Sequence, residues 1–155
     1  MQSLEKSNFY FATCFLVEEL RSVSKVIDYV DLIILQRCKW SIELESFLNY
    51  SRSKGKKILY DIDDLIYDNK YIPSYLDNIG DYTSNVATLV SMSGLYNMVI
   101  PFCDAFIVST PKLAEFMKKD FGKKVYVYHN YLNLEQERIS SEPRFPVLVQ
   151  SQRHG

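Results

Sequence analysis

Four short strand-like runs alternate with segments of helical period along this chain, and that alternation limits the fold more than any other feature. The runs are VDLIILQ at 30–36, KILYD at 57–61, DAFIVST at 104–110 and KVYVYHN at 124–130. The first is continuous and rich in branched residues, the mark of a strand buried on both faces. Phe15, Leu16, Leu20, Val23 and Ile27 recur at helical spacing and predict a helix over 12–28. Ser41 can cap a helix over 42–54, with Glu43 and Glu45 in its first turn and Gly55 just past its end. Val86, Leu89, Val90, Leu95 and Val99 predict another helix over 84–100. The next helix has Thr110 as cap, Pro111 at its first position, Leu113, Phe116 and Met117 on its apolar face, and Gly122 at its end. Residues 62–82 read as a long aromatic and acidic connection. The expected fold class is α/β: a Rossmann-like parallel sheet of about four strands with helices on both faces.

The chain has 155 residues, enough for one domain with a real core. A formal net charge of −1 gives no general attraction for nucleic acid or acidic lipid. Nucleic acid is therefore not an expected partner, and with Lys and Arg spread along the chain any membrane contact is at most peripheral. Cys14, Cys38 and Cys103 are odd in number and lie at no metal-ligand spacing, which points to a reducing compartment. No apolar run approaches the ~20 residues of a membrane span, and the start lacks the layout of a signal peptide. The expected location is cytoplasmic, at most peripheral to the inner face of the cell membrane. Residues 134–155 hold two prolines and no sustained period, so they read as a linker or loose tail after a domain over 1–133.

The second run delivers Asp61, Asp63 and Asp64 within four positions, and Asp68 follows. Carboxylates so close together repel, so some must be protonated, paired with a cation or held by backbone N–H groups. Ser109 and Thr110 fall at the end of the third run, and His129 and Asn130 at the end of the fourth. In parallel α/β sheets ligands bind beyond the carboxyl ends of the strands. All these groups are thus expected on one rim. Each also has a plainer use: an Asp as a turn cap, Thr110 as a helix cap, Asn130 as a turn residue, His129 as a structural side chain.

YDIDDLI resembles the first motif of haloacid dehalogenase-like phosphatases, a strand ending in Asp-x-Asp. That resemblance implies Asp61 as nucleophile and Asp63 as general acid with Mg²⁺. Leu65 stands where that family usually has Thr or Val, and no later strand ends in an acidic pair. A broader resemblance is carried by VDLIILQR at 30–37, GKKILYDIDDLIYD at 55–68 and CDAFIVSTPKLAEFMKKDFGKKVYVYHNYLN at 103–133. In order and spacing they resemble the N-terminal, acceptor-side half of retaining glycosyltransferases of the GT-B fold, the group 1 or family 4 class.

That second resemblance implies Asp61 and Asp63 as the catalytic candidates, orienting an acceptor hydroxyl or taking its proton. It implies substrate-binding roles for Asp64, Tyr67, Ser109, Thr110, His129 and Asn130. Tyr67, Tyr71, Tyr75 and Tyr82 are candidates for an acceptor platform or for loop packing. The acceptor would be a glycan or a lipid-linked sugar. No cofactor or metal is expected; the donor is a nucleotide sugar held mainly by a C-terminal donor-binding domain. That domain is expected to be absent, because the tail is too short to supply it, and no glycine-rich phosphate loop is present. The chain alone is expected to be inactive or nearly so. A separately encoded donor domain is the partner this implies. A non-catalytic binding or accessory module is the remaining reading, favoured by an exposed apolar face. A receiver-like domain would need a phosphoacceptor Asp and a Lys at later strand ends, and neither is in the right order.

Overall fold

The structure is a computed structural model that describes residues 12–79 and 86–129. Four strands form one sheet: β1 (Leu32–Gln36), β2 (Lys57–Asp61), β3 (Ala105–Val108) and β4 (Lys124–Val127). Every neighbouring pair is parallel, and the order across the sheet is β1-β2-β3-β4. The expected parallel α/β sheet is present. Its helices are a single turn α1 (Leu20–Val23), then α2 (Ile42–Ser53), α3 (Ile72–Ile79), α4 (Val86–Asn97) and α5 (Pro111–Phe121). Among the described residues no helix is long and apolar enough to cross a membrane.

Local chemistry accounts for most element ends. The Ser41 hydroxyl accepts the Leu44 N–H at 3.1 Å, and the Thr110 hydroxyl accepts the Leu113 N–H at 3.2 Å, so both cap their helices as their positions predict. Gly122 ends α5 in the left-handed region at φ 62°, where a side chain would be strained. The long helix expected over 12–28 is instead three short pieces, Val17–Glu19, Leu20–Val23 and Ile27–Tyr29. Leu20, Val23 and Ile27 of that apolar period meet the core, but its N-terminal part does not, since Phe15, Leu16 and Val17 are exposed. Ser24 also turns its hydroxyl onto the Leu20 carbonyl at 2.9 Å, a bond that bends helices. In the connection after β2 the structure adds α3, preceded by a turn that Asp68 caps through the Lys70 N–H at 3.0 Å.

The register sorts the strands into two faces. Ile33, Leu35, Ile58, Tyr60, Phe106, Val108 and Val125 share one face and all join the core. Leu44, Phe47 and Leu48 of α2, Tyr96 of α4, and Leu113, Ala114 and Met117 of α5 pack into that same core. The opposite face carries Leu32, Ile34, Leu59, Ala105, Ile107 and Tyr126, none of which belongs to it. Leu32 and Tyr126 are 46% and 44% exposed. Right-handed crossovers that step one way along a sheet deliver their helices to one side, and the strand order here never reverses. Among the described residues the helices that join the core pack on the first face; on the second, Ala105 is buried and Ile34, Leu59 and Ile107 are partly exposed.

Candidate functional site

The chain leaves β2 at Asp61 and passes through Ile62, which is fully buried and donates its N–H to the Ile107 carbonyl at 3.0 Å. That anchor fixes the acidic turn against the end of β3. The neighbouring strand end supplies a cation. Arg37, one residue past β1, adopts a left-handed backbone at φ 46° and donates its N–H to the Asp61 carbonyl at 3.0 Å. Its guanidinium reaches Asp64 at 3.0 Å and Asp63 at 3.5 Å. The charge of this turn is therefore met in part by Arg37, a residue not singled out from the sequence. A basic residue at the end of the strand paired with β2 is the signal that could have found it.

Asp61 is half-buried and differs from its neighbours. Burial pushes its carboxyl above the usual carboxylate range, and the nearby Asp63 charge adds to the shift. Asp63 and Asp64 are more open and line a cleft of ≈ 270 Å³ together with Leu65. One wall of the cleft comes from Tyr71 and from Ser74 of α3; the other comes from Thr110 and the first turns of α5, with Lys112, Leu113 and Phe116. Lys112 is engaged with Glu115 at 2.9 Å and lies over the Phe116 ring.

The two walls are tied behind the cleft. The Asp120 carboxylate, near the end of α5, accepts the Tyr71 hydroxyl at 2.7 Å and the Tyr67 hydroxyl at 3.1 Å, and pairs with Lys70 at 2.8 Å. Burial alone would raise the Asp120 carboxyl. The bonds from Lys70, Tyr71 and Tyr67 outweigh it and hold the group below the ordinary range. The rings of Tyr67 and Tyr71 stack edge to face, and Tyr71 meets Phe116 the same way.

Of the residues expected at the site, the structure brings Asp63, Asp64 and Thr110 to the cleft, and Tyr71 from the tyrosine set. Asp61 lies at the same rim but does not line the cleft. Tyr67 is fully buried and spends its hydroxyl on Asp120, so it serves packing rather than offering a face to a ligand. Ser109 is half-buried beside Thr110, outside the cleft lining, and His129 is exposed beyond the end of β4. Asn130 and Tyr82 lie outside the described residues, as does the side chain of Tyr75 and the whole of the tail over 134–155. Ser74, Lys112 and Asp120 had no sequence signal strong enough to single them out. Among the described residues no three His, Cys, Asp or Glu side chains group closely enough to hold a metal ion. Comparison of the chain with protein-family models, with curated proteins and with solved structures finds no match.

Proposed function

We propose that this chain is the acceptor-side domain of a retaining GT-B glycosyltransferase of the group 1 kind, binding a glycan or lipid-linked sugar acceptor. The observation that supports the reading is the cleft beyond the ends of β2 and β3, where two carboxylates face aromatic and hydroxyl side chains. Carboxylates accept sugar hydroxyls in charge-assisted hydrogen bonds, and the Tyr71 and Phe116 rings suit the apolar face of a pyranose. Asp61, at the same rim but outside the cleft lining, is the candidate to take a proton from an acceptor hydroxyl that reaches past Asp63. The donor nucleotide sugar would be held by a separate domain, and contact with a membrane-borne acceptor would be peripheral, from the cytoplasmic side. An Arg37 guanidinium already engaged with Asp63 and Asp64 fits this reading better than the phosphatase alternative, which would use Asp61 and Asp63 with Mg²⁺.

The test is an NMR titration of the 155-residue chain with simple pyranosides. Amide shifts should cluster at 63–74 and 110–116, and Asp63→Asn with Asp64→Asn should weaken binding by about tenfold or more. Binding unchanged in the double variant would refute the site. Efficient sugar transfer from a nucleotide sugar by the chain alone would refute the half-enzyme reading.

The exposed Leu32 and Tyr126, at the edges of a face whose Ile34, Leu59 and Ile107 are partly buried, favour a second reading, an accessory module that docks on a partner. Light scattering of the purified chain separates the two, since a lone acceptor domain stays monomeric at micromolar concentration and a docking module self-associates or needs its partner for solubility.

A further inference from the structure

A second cavity lies behind the acidic turn, with Arg37, Leu65, Ile72, Met92, Ser93 and Tyr96 among its walls and a volume of ≈ 60 Å³. It meets the acidic cleft at Leu65, which lines both. Its described walls are apolar except for Arg37, whose guanidinium is committed to Asp63 and Asp64, the hydroxyl of Ser93 and the phenol of Tyr96. Ser93 is 2% exposed, and its hydroxyl has no hydrogen-bond partner among the described residues. The other buried serine behaves differently: Ser51 donates to the Phe47 carbonyl one turn back at 2.7 Å. Ser93 sits in a helix and makes no such bond. A buried hydroxyl left unpaired costs about 1–3 kcal/mol, so its persistence asks for an occupant.

Water is a poor occupant. The space exceeds the roughly 15 Å³ that one water needs, and each water wants about two to four polar partners. Ser93 and Tyr96 could hold one water between them, but that would leave most of the space empty, and the otherwise apolar described walls do not supply partners for more. A compact apolar group carrying one hydrogen-bond acceptor fits both size and chemistry. We propose that the cavity is an acetyl subsite. The methyl of an acetamido substituent would pack on Ile72, Leu89 and Met92, and its carbonyl oxygen would accept the Ser93 O–H. Resting on the acceptor reading above, this names the substrate class: a sugar held by Asp63 and Asp64 extends its acetamido group past Leu65 into the cavity. The Arg37 ion pairs at that boundary are half-exposed and weak enough to yield.

The experiment titrates the full chain, and its Ser93→Ala variant, with methyl N-acetyl-β-glucosaminide, methyl β-glucoside and N-methylacetamide, read by amide NMR. Ser93→Ala removes an unpaired hydroxyl from a helix and so keeps the fold. The acetamido sugar should bind about tenfold more tightly than the glucoside. N-methylacetamide alone should shift the amides of Met92 and Ser93. Ser93→Ala should remove the preference and the response to N-methylacetamide, leaving glucoside binding as it was. Equal binding of the two sugars, or a preference that survives Ser93→Ala, overturns the subsite while the acceptor reading stands. A response to N-methylacetamide with neither sugar bound supports the cavity and overturns the acceptor reading. No response to any of the three overturns both.

Discussion

Replacing Asp120 by alanine removes the knot that joins the two walls of the cleft. The Asp120 side chain is 9% exposed and accepts two tyrosine hydroxyls, at 2.7 and 3.1 Å. Hydrogen bonds to a buried charged group contribute about 1.5 kcal/mol each at the low end. Tyr67 is fully buried, so its hydroxyl would keep only the neighbouring Tyr71 hydroxyl rather than return to water. Lys70 is half-exposed and its bond is screened by solvent, so it adds nothing to the sum. Asp120→Ala should therefore lower stability by about 3 kcal/mol, which for a chain of this size is about 9 °C in Tm. Trp40 is the single tryptophan, and its indole N–H is held by Glu45 at 2.7 Å, so urea unfolding can be followed by its fluorescence. Asp120→Asn keeps an acceptor oxygen and should cost less. Because the folded carboxyl is held below its unfolded range, the advantage of Asp120 over Asn is full above the unfolded pKa, about 3.9. It is lost as the pH falls from there through the lower folded value. A loss below about 0.5 kcal/mol in Asp120→Ala, or an Asp-over-Asn advantage that is flat down to pH 2, would show that the two tyrosines do not depend on this carboxylate.

Asp61→Asn should stabilise the chain at neutral pH, since a carboxyl raised by burial and by Asp63 favours folding only below its unfolded pKa and opposes it once ionised; thermal melts at pH 4 and pH 7 read the difference. In the same region Asp63→Asn should move the Asp61 carboxyl downward but leave it above the ordinary range, because burial is the larger cause, and carbon-detected NMR titration reads the shift. Gly122→Ala meets no atom within 4 Å but keeps φ at 62°, so a loss of about 1 kcal/mol in urea unfolding is expected from backbone strain alone. Thr110→Ala should cost about 1 kcal/mol by removing the α5 cap, which urea unfolding again measures.

The sheet was legible because its signals are local. β2 falls over Lys57–Asp61 as expected, and Ser41, Thr110, Pro111 and Gly122 punctuate α2 and α5 through bonds to their own neighbours. The stretch before β1 misled, since its apolar period meets the core only through Leu20, Val23 and Ile27 and not through Phe15 and Leu16. The site was legible in its anions and not in its partners. Asp63, Asp64 and Thr110 stand at strand ends, a position that sequence alone implies. Arg37 pairs with Asp63 and Asp64 through strand neighbourhood, and Tyr67 is drawn inward by Asp120, more than fifty residues away along the chain. Neither relation has a period or a motif. α3 was hidden because Asp68, Pro73 and the tyrosines around them look like a loop until the preceding capped turn starts the helix.

The strand order β1-β2-β3-β4 has a consequence for how the molecule is built during synthesis. Each strand after the first adds beside the one before it in the chain, so the sheet can lengthen from its first edge as residues leave the ribosome, without waiting for a later strand to enter its middle. The steps are unequal. β1 to β2 and β3 to β4 are short crossovers, while β2 to β3 passes through the long segment holding α3 and α4. Loop closure over that longest span carries the largest entropy cost and should pace assembly. Asp63, Asp64 and Thr110 stand on opposite sides of that step, so the cleft comes into being only at the slowest event in folding.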